Sequence, residues 1–149
     1  MATHDELYAK FGKTAEAAQL FEVELGTLIL CARAIEQGWI LEADSVKARK
    51  LLDDIDRSTL GHLLRSLKKC VELDDALADR FGSALQTRNR LFHRFYEFHN
   101  FKIQTDEGRD AMIADLEAMH TELFNAWQIA SSMTETATAF LLEVSSKTA

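Results

Sequence analysis

The chain contains no proline and only six glycines in 149 residues. Glycine and proline form most tight turns and bound most strands, so a chain this poor in both cannot make the many turns of a β-rich fold. Alanine, leucine, glutamate, aspartate and lysine dominate instead. We therefore expect one all-α domain over residues 1–149, folded as an antiparallel bundle of four to five helices.

Apolar periodicity and capping signals predict where the helices begin and end. A short helix is expected over 5–11 and is ended by Gly12, and a second runs from Thr14, as its N-cap, to residue 36. The other helices are predicted over 44–56, 58–71 and 74–98, and from 105 to about 143. The last of these begins with acidic residues at its positive end, which favours a helix start there.

The cellular setting follows from what the chain lacks. Its first residues have neither the basic nor the apolar region of a secretory signal. The longest apolar-rich run, 25–35, is interrupted by Gly26, Thr27 and Arg33, and it is too short to span a bilayer. Cys31 and Cys70 form no C-x-x-C pair, so we interpret both as reduced packing residues. We expect a soluble, cytoplasmic protein without membrane contact.

Charge is distributed unevenly along the chain. The net charge is −7, which by itself disfavours a nucleic-acid partner. Residues 80–102, however, carry five basic side chains against the single acid Glu97: Arg80, Arg88, Arg90, Arg94 and Lys102. This positive segment is either a phosphate-binding surface or a solvated helix face, and charge alone does not decide between them.

The segment contains Arg88, Asn89 and, five positions after the arginine, His93. On an ideal helix Arg88 falls in the middle of the apolar arc, so it needs an acceptor or must lie at a cleft or interface. His93, Asn89 and Tyr96 share the edge of that arc, where Asn89 could hydrogen-bond the imidazole. Arg88 and His93 diverge by about 140° on the helix. Two copies of the helix meeting across a two-fold axis would bring them together.

A second charged residue lies on an apolar arc. Glu24 falls among the apolar positions of the helix predicted over 14–36, and a carboxylate there requires a cationic or donor partner. Arg88 is one candidate partner and His99 is another. Alternatively, Glu24 lies at the edge of the arc and needs none.

An Arg-x4-His motif with asparagine directly after the arginine and a nearby tyrosine, late in an all-helical chain, resembles the HEPN superfamily. The stretch Ser58-Thr59-Leu60-Gly61-His62 is also similar to a helix start in stand-alone bacterial members. The resemblance implies a homodimeric bundle with metal-independent endoribonuclease activity, as in toxin–antitoxin and defence systems. It implies that Arg88 and His93 are the catalytic pair, with Asn89 as polar neighbour.

One departure from the family pattern concerns the toxins that are paired with a nucleotidyltransferase antitoxin. They carry tyrosine two positions after the histidine, where this chain has Phe95. Tyr96 stands one position later, so the target of nucleotidylation is displaced or absent. A cognate antitoxin remains a possible partner. Glu24 resembles the acidic residue found on an early helix of the family.

These residues predict RNA cleavage by attack of a ribose 2′-OH on the adjacent phosphate. His93 would be general base or acid, Arg88 would stabilise the phosphorane, and Asn89 and Tyr96 would assist. Arg90 and Arg94 point away from the core and would contact flanking phosphates. The alternative is a non-catalytic module that binds a nucleotide or protein partner.

No cofactor is expected. His93 and His99 are six residues apart and no acid or cysteine joins them at metal-ligand spacing, so we predict no metal site. Glycine-rich phosphate loops and a G-x-S-x-G motif are missing too, which disfavours nucleotide-dependent and serine-hydrolase chemistry.

Overall fold

The structure is a computed structural model that describes residues 1–38 and 45–148. Over these residues it contains five α-helices and one short 3-10 helix. The helices are α1 His4–Glu36, α2 Ser45–Arg57, α3 Leu60–Cys70, α4 Asp75–His99 and α5 Asp106–Thr148, with the 3-10 helix Asn100–Gln104 between α4 and α5. The predicted all-α bundle is therefore confirmed. Asp44, the predicted first residue of the helix over 44–56, lies outside the described residues.

Helix α1 is continuous, so the prediction that Gly12 ends a first helix was wrong. The N-cap is Thr3, which accepts a hydrogen bond from the Glu6 amide at 3.1 Å while the Glu6 carboxylate accepts one from the Thr3 amide at 2.7 Å. Gly12 is exposed. A mid-helix glycine costs only about 1 kcal/mol relative to alanine, which the packing of a 33-residue helix exceeds.

Thr14 is not an N-cap but a buried contact between α1 and α5. Its hydroxyl lies 2.9 Å from the Lys10 carbonyl oxygen and 3.3 Å from that of Leu116, and it can donate to either. The same two helices meet near their starts, where the Ala2 amide donates to Asp110 at 2.8 Å, and near their ends, where Cys31 Sγ lies 4.0 Å from Thr138 Oγ1. The numbers rise together along both helices, so α1 and α5 run parallel.

Helix α4 runs in the opposite direction to α5. Arg90 of α4 reaches Asp115 of α5, whereas Thr87, earlier on α4, reaches Glu122, later on α5. Helices α4 and α5 are therefore antiparallel. Helix α5 continues to Thr148, beyond its predicted end near residue 143.

The core lies where α1, α4 and α5 meet. Phe21 of α1 and Phe81 of α4 are fully buried with their ring centroids 5.7 Å apart, and Phe11 and Phe95 make a second contact at the same distance. Leu116 and Leu123 of α5 complete the packing, and both are fully buried. Helix α3 contributes Leu67 and covers one side of the bundle near α1. No helix of the described ranges combines the length and apolarity that a membrane crossing requires.

Candidate functional site

A cavity of about 710 Å³ lies between α1, α2, α3 and α4. One part of its wall is apolar and includes Leu52, Ile55, Leu63 and Leu85. The part formed by α4 carries Arg88, Asn89 and His93. All three residues of the sequence motif therefore face one cavity within a single chain.

Arg88 is held in place by three neighbours. Its Nε donates to Glu22 Oε1 in a short ion pair, and its Nη1 donates to Asn89 Oδ1 at 3.1 Å. The guanidinium carbon lies 5.0 Å from the ring centroid of Phe92. The Arg88 side chain is 26% exposed, so it is partly desolvated but still open to the cavity. The sequence predicted either an acceptor or a position at a cleft or interface, and Arg88 has an acceptor and lines a cavity.

The acceptor is Glu22 and not Glu24, for which Arg88 was one of two candidate partners. Helix α5 makes most of the contacts with α1 and covers the centre of its apolar face, whereas α4 makes few contacts with α1. A residue at the edge of the face can therefore reach Arg88, and Glu22 stands at that edge. Glu24 is half-buried, and the structure pairs neither Arg88 nor His99 with it.

His93 is exposed at the mouth of the cavity. Within the described residues its imidazole makes no hydrogen bond, so both ring nitrogens remain accessible to a ligand. Asn89 does not orient His93, as its spacing suggested, because its side-chain oxygen accepts from Arg88 instead. The Asn89 amide group remains available at the cavity. This arrangement provides a proton-transfer group and a fixed cation at one opening.

Arg88 and His93 diverge on the helix, but this divergence does not keep their side chains from lining one cavity. Both side chains reach the same cavity, because Arg88 is long and Phe92 lies against its guanidinium. A second copy of the chain is not needed to bring the two residues to a common space. The homodimer with a composite site stays a prediction.

Tyr96 does not line this cavity. Its ring packs against Phe11 at 5.6 Å and against Phe95 at 5.3 Å between centroids, and the residue is 43% exposed. Partial burial raises the pKa of its phenol, with a smaller contribution from Tyr8. The structure thus separates Tyr96 from the three motif residues that it was grouped with.

Arg90 is engaged by α5. Its Nη1 and Nη2 donate to the two carboxylate oxygens of Asp115 at 2.8 and 2.9 Å, and its guanidinium lies over the Phe98 ring. His99, which is buried, places Nε2 2.7 Å from the same carboxylate. The hydrogen bonds from Arg90, followed by that from His99, hold the pKa of Asp115 below its usual range. Arg90 and His99 therefore stabilise the α4–α5 interface.

Arg94 is exposed, and with Gln86, Asn89, Arg90 and His93 it lines a shallow depression next to the cavity. Of the two arginines predicted to contact flanking phosphates, Arg94 is the one without a carboxylate partner among the described residues. His93 and Asn89 border both the cavity and this depression. Arg94, unpaired among the described residues, therefore lies next to the opening of the cavity.

Sequence reasoning missed Glu22 and Asp115, because each lies far along the chain from its partner. Thr27, Ser58 and Thr59 also line the cavity and were not proposed as site residues. The described residues contain no group of three or more His, Cys, Asp and Glu side chains that could hold a metal ion. No family model, curated protein or solved structure matches the chain.

Proposed function

We propose that this protein is a metal-independent endoribonuclease of the HEPN type, possessing a site that two copies of the chain complete. The observation that carries the proposal is that Arg88, Asn89 and His93 open onto one cavity. A planar guanidinium suits two phosphate oxygens, and an imidazole is suited to proton transfer near neutral pH. Toxin or defence activity, with a cognate antitoxin, is part of this proposal.

In the proposed reaction the ribose 2′-oxygen attacks the neighbouring phosphorus. The bond from 2′-oxygen to phosphorus forms, the bond from phosphorus to the 5′-oxygen breaks, and a 2′,3′-cyclic phosphate and a 5′-hydroxyl result. His93 takes the 2′-OH proton as general base, and the departing 5′-oxygen receives a proton from water or from a second imidazole. A second copy of the chain would supply that imidazole as its own His93.

Arg88 would stabilise the charge that builds up on the phosphorane. In the structure its Nε donates to Glu22, and its Nη1 donates to Asn89. Glu22 therefore acts as a positioning residue that fixes the direction of the guanidinium. The exposed Arg94 would bind a flanking phosphate, which is a sequence-independent contact.

The test is cleavage of single-stranded RNA in the presence of a chelator. The parent protein should cut the RNA, and His93→Ala and Arg88→Ala should each lose about 10²–10⁴-fold in rate. His120→Ala is the matched control, since His120 is a half-buried histidine on α5 that stacks on Phe124 away from the cavity. It should retain the parent rate. The same sequence made of DNA lacks the 2′-OH and should resist cleavage; equal cutting of DNA would exclude the mechanism.

One observation favours a second candidate, a non-catalytic module that binds a nucleotide or protein. Arg88 is already paired with a carboxylate, so its charge is partly neutralised before any substrate arrives. If the protein binds RNA or a nucleotide but cuts no RNA under any of these conditions, the module is the better description. Growth arrest on expression in bacteria, relieved by His93→Ala, would instead support a toxic nuclease.

A further inference from the structure

Four aromatic side chains lie along the seam between α1 and α4, and we call them the aromatic strip: Tyr8, Phe11, Phe92 and Tyr96. Tyr8 is 52% exposed, Tyr96 43% and Phe92 37%, while Phe11 is half-buried beneath them. The ring centroids of Phe11 and Tyr96 are 5.6 Å apart, and Tyr8 is close enough to Tyr96 to contribute to the pKa of its phenol. Packing of the core does not explain why so much aromatic surface faces water here.

Tyr96 is supported in the way that a stacking surface requires. Tyr96 rests on Phe11 and Phe95, so its orientation is fixed although much of it remains in solvent. Phe92 lies one helical turn before Tyr96, about 6 Å along α4. Supported rings with exposed surface can stack on a planar ligand without first losing much conformational freedom.

The strip continues directly from the candidate site. Arg88 belongs to the cavity, and its guanidinium lies over Phe92, the first ring of the strip. The strip also borders a segment that is rich in basic residues, 80–102. Aromatic rings next to arginines are the combination that binds unpaired nucleic-acid bases, since the rings stack on bases while cations contact phosphates.

We infer that the aromatic strip stacks the unpaired bases of a single-stranded nucleic acid whose phosphate lies at Arg88 and His93. This inference rests on the proposed function for the position of that phosphate. The same rings could instead cover a second copy of the chain. A nucleic acid is the better match, because the rings adjoin Arg88 and a basic segment, 80–102, and cations beside rings suit phosphates beside bases.

Binding is measured by fluorescence anisotropy with a labelled 12-residue oligodeoxyadenosine, which the proposed reaction cannot cleave. The variant Tyr8→Leu/Tyr96→Leu removes the two most exposed rings of the strip and keeps apolar side chains. It should raise Kd at least fivefold, since one base stacked on one ring is worth about five- to 150-fold in affinity. Its control is Phe140→Leu, which replaces a 49% exposed ring on α5 outside the strip and should leave Kd unchanged.

Two further measurements separate stacking from charge. An oligomer of the same length with abasic sites should bind the parent at least fivefold more weakly than the normal oligomer does. The double-leucine variant should bind the two oligomers equally. The dependence of log Kd on log salt should be the same for parent and variant, because the variant removes no cation. Equal binding of parent and variant, or equal binding of the abasic oligomer to the parent, would overturn the inference.

Light scattering reports which partner covers the strip. If the double-leucine variant becomes monomeric while Kd for the oligomer stays unchanged, the strip is a protein interface and the inference fails. Loss of binding at an unchanged oligomeric state supports it. Base-dependent binding to a parent that cuts no RNA would leave this inference standing while removing the proposed nuclease activity, so the two fail separately.

Discussion

Replacing Asp115 with alanine should destabilise the protein by about 2–3 kcal/mol. The change removes three hydrogen bonds, two from Arg90 at 2.8 and 2.9 Å and one with His99 at 2.7 Å. His99 is 3% exposed and its Nδ1 has no partner in the described residues, so both ring nitrogens would become unsatisfied. A buried unsatisfied group costs about 1–3 kcal/mol.

The contribution of Arg90 is smaller. Its side chain is 36% exposed, so it can turn to water, and an ion pair of this kind is worth about 0–1 kcal/mol. Alanine returns a few tenths of a kcal/mol through its higher helix propensity. Urea denaturation followed by circular dichroism measures the net effect, which for a domain of this size corresponds to a loss of about 4–12 °C in Tm.

Glu117→Ala is the control for this measurement. Glu117 also lies on α5 and pairs with Lys10 across to α1, at 3.7 Å, but its side chain is 60% exposed. Its loss should change the free energy of unfolding by less than about 0.5 kcal/mol. If Asp115→Ala costs no more than Glu117→Ala, the argument that buried His99 depends on this carboxylate is refuted.

The difference in the free energy of unfolding between the parent and Asp115→Ala should depend on pH, because the Asp115 carboxylate titrates. Hydrogen bonds from Arg90 and His99 lower the pKa of Asp115 in the folded state below its ordinary 3.8. The unfolded chain therefore binds the proton more readily, and stability due to this group rises with pH. The contribution is fully present above about pH 4 and is lost as pH falls below 3.8 through the folded value. Denaturation curves between pH 3 and 6 should show the two proteins converging at the acidic end.

Four further substitutions have defined outcomes. Gly108→Ala should cost about 3 kcal/mol or more in urea denaturation, because its Cβ would lie 1.9 Å from the backbone oxygen of Lys102. Gly12→Ala should stabilise by about 0.5–1 kcal/mol, since nothing lies within 4 Å of its Cβ in mid-helix; a loss would contradict the continuity of α1. Thr14→Val should destabilise by about 1 kcal/mol by removing a buried hydroxyl bonded to backbone oxygens. Glu22→Gln should lower Kd for RNA severalfold at low salt, measured by anisotropy, because it removes the charge that competes for Arg88; an unchanged Kd would mean that Arg88 contacts no phosphate.

The fold was largely predictable because helix formation here is a local property. The absence of proline and the regular apolar spacing specify helices nearly everywhere, and four of the predicted helices lie within a few residues of α2 to α5. The error at Gly12 and Thr14 arose from local signals that tertiary packing overrides. A threonine after a glycine looks like a helix start, but Thr14 faces α5 and bonds to Leu116. Only the position of α5 reveals this.

Only the part of the site that lies on a single helix was predictable. Arg88, Asn89 and His93 lie within six residues on α4, so their proximity follows from helical geometry. The partners on other helices do not follow from it. Glu22 contacts Arg88 and Asp115 contacts Arg90 because of how α1 and α5 pack beside α4. The apolar arc of the first helix favours Glu24 over Glu22 as the partner of Arg88, and the structure pairs Arg88 with Glu22.

The pairing of Arg88 with Glu22 bears on how the site would work. A guanidinium has five N–H donors, and Glu22 and Asn89 engage Nε and Nη1. The remaining donors can meet a phosphate while Glu22 keeps the plane of the group fixed. A phosphate that binds here adds negative charge beside a carboxylate, which weakens its binding. In the proposed reaction the charge that develops on the phosphorane is larger than that of the bound phosphate, so a fixed Arg88 would favour the transition state over the ground state. The Glu22 carboxylate, which weakens phosphate binding, is therefore consistent with the proposed role of Arg88 in cleavage.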